Sequence, residues 1–574
     1  MNIKENKIIK NLWIAFLIVA IFWPLAFINK GIDLTDTGYY LANYSHIFNS
    51  IGETVIGTFL SNYFGGLIYS VIPSHHLMVL KIICMLTNGI SIMLAFFVLK
   101  KHFQKNILAF FMMVSSFIFC EMPQCPSYNT FSFLLLSLII FLLVKWTDTQ
   151  KNLFLILSGV IIGFSVFFRI PNVLFGCLYA AVLWYDIMTD RKKEILKDTW
   201  RMFWGGMVGL LTGVGIILRF VGMDGILKDF NRYTNVATTS QNSHSITITV
   251  KRFGLQILRG TYEHILFLAV ASVLLAILVF FLYKYKKTGK DAYSKMAICT
   301  IVVINIAAIV LNTLKFDSVY NQTEMVEVIL LPVSFFSVWY YRKKDISLSI
   351  LSCILMIVSL VVFFGTDTGF RIHIVGHYWF LPYTVLISVD YMKKFFDAKE
   401  LTCKRAIVLA CCIALVSNVV GNNIFRSTKM MCTYQYREPY DNINYYPNSS
   451  VLAGVRTTEY KCRMLDGVTC FLEDDKYKDK KIIVMMSPII FALVDNECAL
   501  GRTFWPDLES YSTEKFESSL QQFAKNDDLP IVILTYHMPS KRVSYLETFC
   551  EENNYTVADE DILNGEKIYT ILVP

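Results

Sequence analysis

Long apolar segments, repeated along the first three quarters of the chain, constrain its fold more than any other feature. Backbone groups find no hydrogen-bond partner inside a bilayer, so only helices and closed barrels can cross it, and a helix needs about 20 apolar residues to do so. The segments lie at about residues 12–28, 77–99, 107–120, 130–146, 153–168, 172–188, 203–221, 264–283, 296–313, 327–341, 346–364, 377–392 and 405–422. With 574 residues, 55% of them apolar and 17% charged, the sequence predicts an α-helical polytopic membrane protein with about thirteen transmembrane helices.

Basic residues are concentrated in alternate loops and set the expected orientation. The basic loops are those around Lys100, Arg191, Lys284, Arg342 and Lys393. Cytoplasmic loops carry the excess of Lys and Arg, so we expect a cytoplasmic N-terminus in a multi-pass protein of the cell membrane. The first segment has no cleavage site and is expected to stay as a signal anchor. Thirteen crossings then place the C-terminus outside.

The composition changes at about residue 426. Residues 426–574 hold 16 Lys and Arg against 23 Asp and Glu, whereas the rest of the chain holds 37 against 22. Two apolar runs at 481–486 and 530–536 have the length of buried strands, an amphipathic helix is predicted at 514–525, and 568–573 suits a last strand. We therefore predict a transmembrane domain at 1–425 and an exterior α/β domain at 426–574. The sequence lacks the clustered basic face of a nucleic-acid-binding module, so we expect no nucleic-acid partner.

An acidic segment, Asp33-Leu-Thr-Asp-Thr-Gly-Tyr-Tyr40, follows the first apolar segment and opens the first exterior loop, residues 30–76. Charged groups at a membrane boundary are costly, which favours a functional interpretation. Asp36 is the candidate general base for an acceptor hydroxyl, with Tyr39 and Tyr40 one turn later as sugar contacts. Asp33 lies on the same face if the segment is helical, and the two carboxylates can then share a divalent cation. In the alternative interpretation both are helix N-caps.

The rest of the first exterior loop is too polar to cross a bilayer and too apolar to lie free in water. Tyr44, Ile47 and Phe48 recur at helical spacing, and so do Phe59 and Tyr63. These patterns predict short helices in the plane of the membrane interface.

Positive charge in the short exterior loops is rare and opposes the usual bias. Arg169 follows an apolar segment directly, where it either binds a phosphate oxygen or extends to the membrane interface. Arg371, His373 and His377 form a second group within seven residues and are candidate ligands of a lipid phosphate or diphosphate. Further candidate contacts are Tyr128, Asn129 and Glu324. No cysteine spacing matches a zinc site, and a Cys462–Cys470 disulfide stays an alternative.

The cytoplasmic N-terminus, the Asp-x-x-Asp-x-x-Tyr-Tyr loop after the first span, the interfacial helices, the dozen further spans and the exterior domain resemble the GT-C superfamily of membrane glycosyltransferases, bacterial type. The resemblance implies a polyprenyl-phosphate-linked sugar donor, a catalytic carboxylate in the first exterior loop, here Asp36 and secondarily Asp33, and a glycan, lipid or protein acceptor. The chain lacks the adjacent Asp-Glu pair of the protein mannosyltransferase-like members and the Trp-Trp-Asp signature of oligosaccharyltransferases. The donor, the acceptor and metal dependence therefore stay open.

Two alternatives to this function also stay open. A polysaccharide polymerase would rely on a large exterior loop with Arg and His, such as residues 222–262, which carry Arg232, His244, Lys251, Arg252 and Arg259. A non-catalytic protein that transports or exports lipid-linked glycans would more often show paired halves or charges within the spans.

Overall fold

The computed structural model describes residues 11–48, 56–117, 125–227, 246–263, 319–364, 375–396, 430–433, 436–507, 513–540 and 542–574, with scattered positions between 273 and 303 and at 369 and 511. The predicted spans at 264–283 and 296–313 lie mostly outside the described residues, and the span at 405–422 lies wholly outside them. The predicted domain boundary at 425 also lies outside the described residues.

The regular elements described among residues 11–396, the N-terminal part, are helices joined by loops. Its helices are α1 (Leu12–Phe22), α2 (Asp36–His46), α3 (Phe59–Ser70), α4 (His76–Leu99), α5 (Lys105–Ser116), α6 (Tyr128–Thr149), α7 (Asn152–Ser165), α8 (Tyr179–Met188), α9 (Ile195–Phe220), α10 (Ile246–Glu263), α11 (Val319–Tyr341), α12 (Ile346–Phe363) and α13 (His377–Phe396). Short 3-10 helices, Trp23–Phe27 and Ile170–Leu178, follow α1 and precede α8.

Five helical stretches among the described residues are long and apolar enough to cross a membrane. They are α4, α6, Ile170–Met188, α9 and α12. Each coincides with an apolar segment of the sequence, and the predicted short helices of the first exterior loop correspond to α2 and α3. The total of thirteen spans stays a prediction. The orientation of α2 and α3, parallel to the membrane plane, also stays a prediction.

Glycines let α7 and α9 approach at backbone contact. A Cβ on Gly163 of α7 would clash with the carbonyl oxygen of Gly206, and one on Gly209 of α9 would clash with the carbonyl of Val160. Small residues four apart are the usual means of close helix packing in a lipid environment, where apolar side chains gain little by association.

The helix ends separate into two groups. At one end, Lys101 after α4 forms an ion pair with Asp148 of α6, and His102 Nδ1 lies 3.1 Å from Asp345 Oδ2 before α12. At the opposite end of α4, the backbone N–H of Leu77 donates to the carbonyl of Val451, at 3.1 Å. Val451 belongs to the described residues from 430 onwards, which we call the C-terminal part. The predicted cytoplasmic loops around Lys100, Arg191 and Arg342 therefore share one end of the helices, and the C-terminal part lies at the other.

The C-terminal part is a small α/β unit. Its elements are β1 (Met430–Thr433), β2 (Tyr436–Pro439), α14 (Glu459–Leu472), β3 (Ile482–Val484), a 3-10 helix (Pro488–Ala492), α15 (Thr513–Asn526), β4 (Ile531–Thr535), α16 (Val543–Glu552), β5 (Thr556–Leu563) and β6 (Glu566–Val573). The main sheet has the order β3-β4-β6-β5, with β3 and β4 parallel and the other pairs antiparallel. All five residues of β4 are buried, in keeping with their apolar run. The alternative Cys462–Cys470 disulfide is wrong, because both thiols are free.

Candidate active site

Asp33 fixes the segment that leads into α2. Its buried carboxylate accepts hydrogen bonds at Oδ1 from the backbone N–H and the hydroxyl of Thr35, at 3.1 and 2.8 Å, and at Oδ2 from the N–H of Thr37, at 2.7 Å. Amides in the first turn of a helix lack partners within it, so a carboxylate that accepts from them acts as a cap. Because α2 begins at Asp36, the helical turn that would place both carboxylates on one face does not include Asp33.

Asp36 is the first residue of α2 and is half-buried. Its carboxylate lies at the positive end of the helix dipole, which favours the ionised form. Tyr40 lies one turn later and is buried. Burial raises the pKa of the Tyr40 hydroxyl well above its usual value, and the charges of Tyr128 and Asp36 raise it further. Asp36 and Tyr128 therefore each lie within electrostatic reach of the Tyr40 hydroxyl.

A group of aromatic rings is centred on Tyr39 and Tyr40, in the first turns of α2 after Asp36. The ring centres of Tyr40 and Tyr128 are 5.7 Å apart, and those of Tyr39 and Tyr40 are 5.9 Å apart. The ring of Trp505, from the C-terminal part, lies 6.5 Å from that of Tyr39. Three of the predicted tyrosines are thus brought together, and the tryptophan completes a wall that was not predicted from the sequence.

The first turn of α6 supplies the next side of the site. Ser127 caps this helix by accepting from the N–H of Thr130 at 3.2 Å, and the Tyr44 hydroxyl donates to the carbonyl of Pro126. Asn129 lies beside Tyr128, and its Oδ1 is buried with no hydrogen-bond partner among the residues that the structure describes. An acceptor of this kind is costly to leave unsatisfied, which makes it a candidate contact for a substrate hydroxyl.

The turn that begins at Arg169 also packs against the beginning of α6. Its side chain is buried, with 7% of the residue exposed, so the prediction of an arginine that extends to the interface does not describe it. In the turn that it begins, Asn172 donates to the Ser132 hydroxyl at 2.8 Å, and the neighbouring Phe168 ring lies 5.6 Å from that of Phe131. Arg169 therefore belongs to a turn packed on the beginning of α6.

His377 is buried at the start of α13, close to the second turn of α6. The preceding Gly376 packs directly on the ring of Phe133, and Trp379 donates to the Ser137 hydroxyl at 2.9 Å. Arg371 and His373 lie outside the described residues, and so does the side chain of Glu324. The beginning of α6 is thus the common neighbour of the acidic loop, the Arg169 turn and the start of α13.

Both carboxylates act electrostatically on the buried thiol of Cys125. Burial is the main cause that raises the pKa of this thiol, followed by Cys84 and then by Asp33 and Asp36. Within the described ranges, no group of three or more His, Cys, Asp or Glu side chains is placed to hold a metal ion. Asp33 Oδ1 accepts two hydrogen bonds and Oδ2 accepts one, which leaves one lone-pair site on Oδ2 for a cation. The shared divalent cation stays a prediction.

Two lysines from opposite sides hold the backbone that precedes Asp33. Lys81 of α4 donates to the carbonyls of Lys30 and Gly31, at 2.9 and 2.8 Å, and Lys461 of α14 donates to the carbonyl of Ile32 at 2.9 Å. The sequence could have singled out Lys81, because it is a charged residue inside an apolar segment. It could not have singled out Lys461, because its partner Ile32 is 429 residues away.

The C-terminal part also closes over α2 directly. A Cβ on Gly38 would come within 2.7 Å of the backbone nitrogen of Ile489, in the 3-10 helix after β3. Only glycine permits this approach of the two backbones. The arrangement is a carboxylate at the N-terminus of a helix whose first turns carry a group of aromatic rings, between a helical part with membrane-spanning character and a small α/β unit.

Comparison with known proteins adds little to this description. No known family model matches the chain, and no curated protein matches it. Two crystal structures of an oligosaccharyltransferase from Archaeoglobus fulgidus are similar to it. One, a complex with zinc and sulfate, has 11% identity and a TM-score of 0.48 over 97% of this chain and 72% of that chain. The other, tethered through a disulfide to an acceptor peptide with the NVT sequon, has 12% identity and a TM-score of 0.49 over 98% and 74%. At these scores the similarity carries no argument about function.

Proposed function

We propose that the protein is a membrane glycosyltransferase that moves a sugar from a polyprenyl-phosphate-linked donor to a hydroxyl of a glycan, lipid or protein acceptor. The observation that carries the proposal is the position of Asp36, at a helix N-terminus one turn before Tyr40, whose ring packs with those of Tyr39 and Tyr128. A carboxylate accepts a proton from a hydroxyl, and aromatic faces hold sugar rings, so the two features together suit this chemistry.

In the proposed reaction Asp36 is the general base. Its carboxylate takes the proton of the acceptor hydroxyl as that oxygen forms a bond to the anomeric carbon of the donor sugar. The bond between the anomeric carbon and the phosphate oxygen breaks, and its electron pair leaves with the lipid phosphate. Asp33 holds the segment before α2 in place through Thr35 and Thr37 and acts on the reaction through the position of Asp36.

The leaving phosphate needs positive charge and hydrogen-bond donors, and we propose that Arg169 supplies the charge and His377 an N–H donor. A guanidinium binds phosphate oxygens in pairs, and a charge held away from water acts strongly on a charge that develops nearby. Both residues start turns that pack against the beginning of α6, next to Tyr128. Arg371 and His373 remain part of the proposed phosphate site on the grounds of their sequence positions.

We place the reaction at the exterior face of a multi-pass membrane protein, with the N-terminus in the cytoplasm. The grouping of the helix ends supports this orientation, because the basic loops lie at the end opposite to the C-terminal part. The bilayer then gives a lipid-linked donor access from the side.

A polysaccharide polymerase is the second candidate, favoured by the position of α10. This helix lies within the 222–262 loop and carries Lys251 and Arg252. Its Phe253 ring lies 5.2 Å from that of Phe363, at the end of α12, and its Gln256 packs against Gly369. A basic helix is thereby brought to the segment that carries Arg371, where it suits a growing glycan chain with anionic groups.

The test is transfer by the full chain in lipid nanodiscs. Lipid-linked glycans are extracted from source cells that lack the gene and are added with membranes from the same cells. We expect release of the free lipid phosphate and labelled glycan on an acceptor. Single additions favour a transferase, and a ladder of lengths favours a polymerase. No consumption of any lipid-linked glycan would contradict both candidates.

A further inference from the structure

The C-terminal part contains a cavity of about 630 Å³ that is separate from the aromatic wall around Asp36. It opens where β4 ends and β6 begins, and its lining includes Tyr536 and His537 after β4 and Glu566 and Lys567 of β6. Because β3 and β4 are parallel, this is the edge at their carboxyl ends. Ligands of open α/β sheets bind at that edge.

An incompletely satisfied carboxylate lies in the cavity lining. Glu438 is only 9% exposed, and its Oε1 accepts from Lys461 Nζ at 2.9 Å. Its Oε2 is buried and has no hydrogen-bond partner among the described residues. A buried carboxylate oxygen without a donor costs stability, and a donor from a ligand would remove that cost.

The charges around the cavity cancel. Glu438 and Glu566 contribute two negative charges, and Lys461 and Lys567 contribute two positive charges. His537 adds none at neutral pH, because burial and the nearby Lys461 lower its pKa to about 3. A cavity without net charge is poorly suited to a phosphate or another compact anion, which needs an excess of donors and positive charge.

Two tyrosines give the cavity apolar faces with polar edges. The Tyr460 hydroxyl donates to the carbonyl of Ile568 at 3.2 Å, and the Tyr536 hydroxyl donates to Thr570 Oγ1 at the same distance. These bonds hold both hydroxyl groups, while Tyr536 is exposed at the mouth of the cavity. Fixed aromatic faces beside carboxylate acceptors and ammonium donors match a ligand that is rich in hydroxyl groups and neutral overall.

We propose that this cavity binds an oligosaccharide, with Glu438 Oε2 accepting a sugar hydroxyl and the tyrosines contacting sugar rings. The choice of a glycan rests on the proposed glycosyltransferase function. The Lys461 ammonium that binds Glu438 also donates to the Ile32 carbonyl, and Ile32 and Asp36 are four residues apart, at most about 14 Å of extended chain. A glycan attached to the donor or the acceptor extends from the reaction centre into the cavity.

The test is binding of the detergent-solubilised full chain to an array of defined neutral and acidic oligosaccharides. The wild type should bind a subset of the neutral glycans. Glu438→Gln keeps the size of the side chain but replaces one acceptor oxygen by a donor, and should weaken binding at least about tenfold, the scale of one charged hydrogen bond. Tyr536→Ala, at the exposed mouth, should weaken it without affecting folding. Asp528→Asn, in a surface ion pair with Lys481 on the same unit, is the matched control and should bind as the wild type does.

Two further readouts separate this site from the reaction centre. Asp36→Asn should bind the same glycans as the wild type, even though its transfer rate is expected to fall by about 10²-fold or more. In transfer assays with the Glu438 variant, KM should rise for whichever substrate carries the glycan, and a rise for the donor or for the acceptor identifies its source. The proposal is overturned if the wild type binds no oligosaccharide, if both cavity variants bind normally, or if inorganic phosphate displaces the glycan. A normal transfer rate in Asp36→Asn would instead refute the proposed base and leave the cavity result intact.

Discussion

Asp33 and Asp36 carry the same side chain in different surroundings. Asp33 accepts three hydrogen bonds from Thr35 and Thr37, whereas Asp36 starts the helix beside Tyr40. The sequence shows two carboxylates three residues apart and supports both a catalytic and a capping interpretation. The structure separates the two roles, because α2 begins at Asp36 and Asp33 lies before it and accepts from its first turn. Asp33 therefore caps the helix, and Asp36 keeps the catalytic interpretation.

Removing the Asp33 carboxylate should act mainly on stability. Asp33→Ala leaves the donors of Thr35 and Thr37 without their acceptor, and loss of a cap costs about 1 to 2 kcal/mol. Thermal unfolding of the purified protein measures the change, with Asp148→Ala at the opposite end of the helices as the control. Unchanged stability together with activity that a chelator abolishes would contradict the capping role and favour a metal bound by the two carboxylates.

Arg169 should contribute to donor binding. If its guanidinium holds the lipid phosphate, Arg169→Ala removes a buried charged hydrogen bond and should weaken donor affinity by about 2 to 5 kcal/mol. Binding of a lipid-linked sugar to the protein in nanodiscs measures the effect, and the exposed Lys192→Ala is the control. Donor affinity equal to the wild-type value would remove Arg169 from the site.

At the scale of helices and strands, periodicity predicted most of what the structure describes. The apolar segments within the described ranges became helices, and the runs at 481–486 and 530–536 contain β3 and β4. The elements that escaped prediction include β1, β2 and α16, together with β5 and α14. The edge strand β5 carries Asp559, Glu560 and Asp561 in an exposed pattern, as edges often do, and α14 is too mixed in composition to stand out from its surroundings.

The contact between α7 and α9 depends on glycines whose importance the sequence did not reveal. Gly163→Ala places a methyl group against the backbone of Gly206 and Leu210, which cannot yield cheaply. We expect destabilisation by about 1 to 3 kcal/mol, the usual cost of overpacking. Gly215→Ala is the matched control, because a Cβ there meets nothing within 4 Å. Equal melting temperatures for the two variants would contradict the close packing.

At the scale of the whole molecule, the contacts between the C-terminal part and the acidic loop could not be predicted. Lys461 and Ile32 are far apart in sequence, and so are Gly38 and Ile489, so no local pattern records either contact. The sequence separately predicted an acidic exterior loop and an exterior domain. The C-terminal part packs against the acidic loop and thereby closes one side of the proposed site.

The orientation predicts which surfaces a membrane-impermeant thiol reagent reaches. In a background without accessible native cysteines, Asp475→Cys in the C-terminal part should react in intact cells, and Lys192→Cys should react only after the cells are opened. Both positions are exposed on the protein, so the difference reports the side of the membrane. The reverse pattern would refute the topology and the exterior location of the site.

The most direct test of the central claim is the transfer rate of Asp36→Asn in nanodiscs. Asparagine keeps the size of the side chain and removes the proton acceptor, so thermal stability and donor binding should stay near the wild-type values. Turnover should fall by about 10²-fold or more, the usual contribution of a positioned base, while Asp148→Asn keeps its activity. An Asp36→Asn protein that folds normally and transfers sugar at the wild-type rate would contradict the account.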